Sequence, residues 1–189
     1  SLMKKSGYRT GMIGKLHILP ESAYPLHLWW NDRDFISFQN RDVAEMASVA
    51  DTFINESDAP FFLTVNYPDC HLPFHRQRFG VPEKPYAANE VTPLPQVGID
   101  TPRLRQHTAD YYNCMSRLDT AVGHLLDGLE RSGKAEDTLV LFTTDHGAQF
   151  SRGKTCCYEG GVKVPAILRW PGRVDVGRVS EPGSVRVTQ

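Results

Sequence analysis

Net charge is nearly missing from this chain: 21 lysines and arginines face 22 aspartates and glutamates over 189 residues. Without a basic surplus there is no electrostatic footprint for a polyanion, so nucleic acid is not an expected partner. Long apolar runs are also missing. None approaches the roughly 20 residues of a membrane span, so no membrane partner is expected. The opening residues SLMKKSGYRT do not read as a secretory leader. Cysteine is sparse: Cys70, Cys114, Cys156 and Cys157 form no CxxC pair and no zinc-type spacing. An even count permits disulfides, but a domain of this size does not need them, and Cys156-Cys157 reads as two free thiols. Repeats and low-complexity tracts are absent, which excludes solenoids and tails.

What remains is an ordinary globular composition, 40% hydrophobic and 23% charged, enough for one sizeable core. Gly7 to Gly14 reads as a helix end, a glycine stop and a short strand. Val43, Ala47, Ala50 and Ile54 recur at helical spacing between Arg41 and Glu56, and Pro60 ends that helix. Phe61 to Val65 follows as a buried strand. The proline-rich stretch from Val81 to Pro102 reads as a surface excursion. Thr101 then caps a long helix with Pro102 in its first turn. Its stripe runs through Leu104, His107, Tyr111, Cys114, Leu118, Val122, Leu125 and Leu129, and Gly133 ends it. Residues 138–144 and 165–170 read as further strands. Strands alternating with helices predict a layered α/β fold with a largely parallel sheet flanked by helices.

Three predicted strands hand over to loops rich in ionisable residues, and ligands in open α/β sheets sit beyond such strand ends. After the first come Lys15 and His17, two apart and so on one side of an extended segment. After the second come His71 and His75. After the third come Asp145, His146 and Lys154, with Gly147 expected to turn the chain through backbone angles closed to other residues. Each piece alone is weak. Together they supply lysines, histidines and a carboxylate, which suits a tetrahedral oxyanion beside a metal. His27, His75, His107 and His124 read as packing or surface residues, and Asp119 as one half of a helix-face ion pair.

Three segments, in this order, resemble the sulfatase family. They are Gly7-Tyr-Arg-Thr-Gly-Met-Ile-Gly-Lys15-Leu-His17, Ala59-Pro-Phe-Phe-Leu-Thr-Val-Asn-Tyr-Pro-Asp-Cys-His71-Leu-Pro, and Thr144-Asp-His-Gly147 with Lys154 and the Tyr158 to Gly172 stretch. Within that family the tone is nearest to bacterial heparan N-sulfatase-like enzymes. The resemblance implies an alkaline-phosphatase-like fold and hydrolysis of a sulfate ester or sulfamate on a sugar. It implies a partial catalytic domain over residues 1–175, truncated at its N-terminal strand, and a divergent tail over residues 176–189. It further implies metal ligation by Asp145 and His146, sulfate binding by Lys15, and a base in His17. His71 would hold the sulfate or protonate the leaving atom, and Lys154 would bridge nucleophile and sulfate. Sulfated glycans or small molecules would be the substrates, and the longer protein would be periplasmic or secreted.

Two departures from the family pattern stand out. Asp145-His146 occupies a place where many members have Asp-Asn. The implied ion is calcium, but imidazole suits manganese, iron or zinc better, and Asp-His also occurs in relatives that hydrolyse phosphonate and phosphodiesters. The second departure concerns the nucleophile. Cys-x-Pro-x-Arg, whose cysteine becomes formylglycine, is absent: neither Cys70-His-Leu-Pro nor Cys114-Met-Ser-Arg fits. A truncated sheet edge also predicts self-association. A non-catalytic domain that keeps only the anion-binding residues is the reading from another class.

Overall fold

The computed structural model describes residues 2–16, 20–30 and 41–179. His17, one of the predicted site residues, lies outside them, as does most of the 176–189 tail. A one-turn helix α1 (Leu2–Lys5) leads into strand β1 (Arg9–Gly14), followed by β2 (Leu28–Trp30), helix α2 (Val43–Asn55) and β3 (Phe61–Asn66). The long helix α3 (Pro102–Arg131), strand β4 (Val140–Thr143), the single turn α4 (Glu159–Val162) and β5 (Ala166–Arg169) complete the α-helices and strands of the described residues.

Both long helices start where side-chain oxygens meet their unpaired N–H groups. Asp42 accepts from the backbone N–H groups of Ala44 and Glu45, each at 3.0 Å. Thr101 accepts from Leu104 at 3.3 Å, with Pro102 just inside the helix. Such caps stabilise a helix by roughly 1 kcal/mol. α2 packs against both the sheet and α3. Its Met46 and Ala50 join Ile13 of β1 in one buried cluster, against which Leu63 and Val65 of β3 and Leu125 of α3 pack. Its Ile54 joins Leu129 and Ala135 in a second cluster. The two helices cross closely at Gly128, where a Cβ would meet Asp51 Oδ1 at 1.8 Å.

β1 is the centre of a three-stranded parallel sheet in the order β2-β1-β3, registered from Arg9 opposite Phe61 to Gly14 opposite Asn66. The predicted α/β class holds, but the third site strand does not join this sheet among the described residues. β4 pairs with β5 in a separate antiparallel ladder, Val140 opposite Arg169 to Thr143 opposite Ala166. The connection through α3 is long enough for a parallel crossover from β3, but a cleft separates the two strands. The loop after β4, with only the one-turn α4, returns β5 alongside in reverse as its partner. Between β3 and the β4–β5 ladder runs a cleft of about 2170 Å³, floored by Leu118, Val122, Leu125 and Leu129 of α3.

Candidate oxyanion-binding site

Lys15 is placed by the way β1 ends against β3. Gly14 has φ 89°, and a Cβ there would meet Asn66 O at 2.1 Å. Only glycine permits that approach. Asn66 Nδ2 then donates to the Lys15 carbonyl at 2.7 Å, tying the two strand ends together. The lysine therefore leaves β1 beside the loop that follows β3.

That loop carries His71. Its backbone N–H donates to Pro68 O at 2.8 Å, and its Nδ1–H donates to Leu72 O at 2.7 Å. This bond fixes the neutral tautomer in which Nε2 is an acceptor, and Lys154 Nζ donates to Nε2 at 3.3 Å. Burial holds the imidazole below the ordinary value of 6.5, and the charges of Lys154, Lys15 and Arg41 lower it further against the Leu72 bond. His71 thus feels both Lys15 and Lys154, although the three come from separate strand ends.

Lys154 sits on a tightly folded loop. Its own N–H donates to Ala148 O at 2.8 Å, and Gly153 N–H to Phe150 O at 2.9 Å. Its flanking residues Arg152 and Thr155 adopt φ 61° and 73°. Left-handed backbone in residues other than glycine costs about 1–3 kcal/mol each and is characteristic of functional loops. The same loop is pinned to the His71 loop. Leu72 N–H donates to Gln149 Oε1 at 2.7 Å, and the rings of Phe74 and Phe150 stack at 5.8 Å. His107 and Tyr111 of α3 complete this aromatic box, at 4.9 and 5.3 Å from Phe74. His107 is therefore a packing residue, and His27 likewise serves the fold, its Nδ1 accepting from Thr10 N–H at 3.0 Å.

Asp145 and His146 follow β4 and line the same cleft as Lys15, His71 and Lys154. Instead of the expected rim of one sheet, these residues border a cleft flanked by two separate ladders. Gly147 differs from expectation in its reason. Its backbone is not in the left-handed region; a Cβ would instead meet Gly160 O at 1.9 Å, and Gly147 N–H donates to Gly161 O at 2.9 Å. Asp145 is 86% exposed, and its Oδ1 lies 3.5 Å from His146 Nε2. These two side chains are donors of the kind a divalent ion takes. Among the described residues no group of three or more His, Cys, Asp or Glu stands ready to hold one. Two donors leave most of a coordination sphere unfilled.

All four cysteines are free thiols. Cys114 is pushed up to about 11 by burial and the nearby Asp69, and burial pushes Cys70 up as well. A raised thiol is a poor nucleophile at neutral pH. Asp119 is exposed and takes part in none of the ion pairs among the described residues, contrary to expectation. Sequence reasoning missed a buried trio behind His71. Asp69 accepts from Arg41 and, at 2.6 and 2.9 Å, from Nε and Nη2 of Arg117. The available signal was Arg117 itself, a charged residue three positions after Cys114 on the buried stripe of α3.

Comparisons with known proteins bear on this arrangement. The model of the family described as Sulfatase matches residues 1–185. The chain is 32% identical over 190 residues to the N-sulphoglucosamine sulphohydrolase of Homo sapiens, covering 90% of this chain and 38% of that protein. It is 28% identical over 218 residues to arylsulfatase A of Homo sapiens, covering 94% of this chain and 43% of that protein. It therefore spans about two fifths of the length of these curated relatives. A solved structure from work on glycosaminoglycan metabolism by Bacteroides thetaiotaomicron superposes with a TM-score of 0.75 at 18% identity, covering 92% of this chain and 47% of that one. At that identity the likeness speaks for the fold.

Proposed function

The chain belongs to the sulfatase family, and from that premise we propose that it is part of a hydrolase acting on a sulfate ester or sulfamate of a sugar. One observation carries the reading: the ammonium of Lys154 lies 3.3 Å from His71 Nε2, in a cleft that Lys15 also lines and where its charge bears on the same imidazole. Two ammonium groups and one imidazole on this cleft suit a tetrahedral oxyanion: each ammonium can donate to one oxygen, and the imidazole to another once its Nε2 is protonated. Members of this family use a divalent ion and a formylglycine, which supply positive charge and the nucleophile when present. What this chain's own residues do is bind, orient and move a proton. Lys15 and Lys154 hold sulfate oxygens. His71 picks up a proton as the anion enters and passes it to the leaving oxygen or nitrogen. His17 is the base proposed for the release step, on its place in the Lys15-Leu16-His17 segment. Asp145 and His146 are the proposed contribution to the metal site, with calcium or manganese as the ion.

A sulfated glycan is the proposed substrate class, and the likeness to the human N-sulphoglucosamine sulphohydrolase makes N-sulphoglucosamine the first compound to test. The second reading, a phosphonate or phosphodiester hydrolase, is favoured by a single feature, the imidazole of His146 beside Asp145. The decisive assay uses the protein at the length its gene encodes, supplied with N-sulphoglucosamine, an aryl sulfate and an aryl phosphonate. Release of sulfate from either of the first two, lost in K154M, is the expected result. Phosphonate cleavage without sulfate release would transfer the site to the second reading.

A further inference from the structure

The loop that presents His71 has little regular structure of its own, yet its carbonyls are held from behind by two buried arginines. Arg41, just before α2, is 1% exposed, and Arg117, in the middle of α3, is fully buried. Arg41 Nη2 donates to His71 O at 2.8 Å and to Pro73 O at 3.1 Å. Arg117 Nη1 donates to Val81 O at 3.2 Å and to His75 O at 3.4 Å. Both guanidiniums also bind the carboxylate of Asp69, two residues before His71 in the same loop.

Burying two cations is expensive unless their donors are met with good geometry. Here two of the loop's carbonyls lie within reach of each guanidinium, so the cost is tied to one loop conformation. A helix or a simple apolar packing would hold the loop more cheaply. What the costlier arrangement adds is a fixed backbone under one imidazole, directly opposite the loop of Lys154.

We propose that Arg41 and Arg117, joined through Asp69, are positioning residues for His71, fixing the loop so that its Nε2 meets Lys154 and an incoming oxyanion. Arg41 is the member closest in effect, since it holds the carbonyl of His71 itself. Its charge also bears on the imidazole, together with Lys154 and Lys15. The inference rests on the oxyanion-site reading above, and the test separates the two.

The experiment follows the His71 ring by NMR in the 189-residue chain, in wild type, R41M and R41K, with inorganic sulfate as the probe. R41M leaves Asp69 paired with Arg117, and R41K keeps the charge while losing the second donor group. Without sulfate, the His71 titration midpoint is expected to rise toward its ordinary value in R41M, while the resonances of His27 and His107 stay put. With sulfate, R41M is expected to bind about ten-fold more weakly, the cost of a misplaced partner, with R41K intermediate. Folded variants with an unchanged His71 midpoint and unchanged sulfate affinity would overturn the proposal. Loss of fold in both variants would overturn it too, because the pair would then serve the fold rather than the histidine. A wild-type chain indifferent to sulfate would sink the oxyanion-site reading while leaving the sulfate-free midpoint of R41M to decide the positioning role.

Discussion

At the scale of single residues, His71 carries the clearest pH dependence. Its folded midpoint is held below the ordinary 6.5, chiefly by burial and then by Lys154. The unfolded chain therefore takes up this proton first as the solution is acidified. The resulting stability is complete above about pH 6.5 and is lost as the pH falls through the lower, folded midpoint. Thermal melts between pH 7.5 and 5 should show H71Q losing less stability on acidification than wild type; identical slopes would contradict the assignment. Lys154 gives a second prediction with two opposite signs. K154M removes a charge that lowers His71, so the His71 midpoint rises. It also removes a charged donor, so sulfate binding by calorimetry weakens about ten-fold. A K154M chain that binds sulfate as tightly as wild type would take Lys154 out of the site. These residue types were legible in sequence because each stands a few positions past an apolar run. Asp69 and Arg117 were not, because a charge on a helix stripe reads as an irregularity until its partner from a distant loop is seen.

Elements explain why the site residues stand where they do. The loop after β4 folds on itself at Gly147, where the backbone of Gly160 comes too close for any side chain. G147A is expected to destabilise the chain by about 1–3 kcal/mol, the usual cost of forcing an extra methyl into a packed place. Urea unfolding would measure it, and a stability equal to wild type would mean the loop can spread at no cost. Because the clash lies in the loop of Asp145, His146 and Lys154, the variant should also weaken sulfate binding. Helices α2 and α3 were readable almost to their ends: expected from Arg41 to Glu56, α2 runs Val43–Asn55, and Thr101 caps α3 as its hydroxyl predicted. Strand pairing was less readable. An apolar run such as Val140–Thr143 states that it is buried on some face, but not which neighbour supplies its hydrogen bonds. That is why β4 was expected in the parallel sheet and is found beside β5.

Seen as a whole molecule, the chain is a family fold with a wide apolar cleft between β3 and β4, lined also by the proposed oxyanion groups. β3 and β4 each pair on one side only among the described residues, and Phe62, Leu141 and Ile167 are about half exposed. Unpaired edges beside exposed apolar side chains recruit other strands. Light scattering is therefore expected to find dimers or larger species of the 189-residue chain at micromolar concentration; a monodisperse monomer would show that the cleft closes in solution. The family's segments were legible across nearly the whole sequence, whereas the cleft was not, since a space between strands leaves no trace in the residues that border it. The central claim is that Lys15, His71 and Lys154 form one oxyanion site. Adding inorganic sulfate to the wild-type chain while recording NMR spectra of the histidine rings and lysine side chains tests it most directly. The account predicts that sulfate raises the His71 midpoint and shifts the Lys15 and Lys154 signals with one common affinity that strengthens as the pH falls. Saturating sulfate that leaves all three unmoved, or that moves them with unrelated affinities, would contradict it.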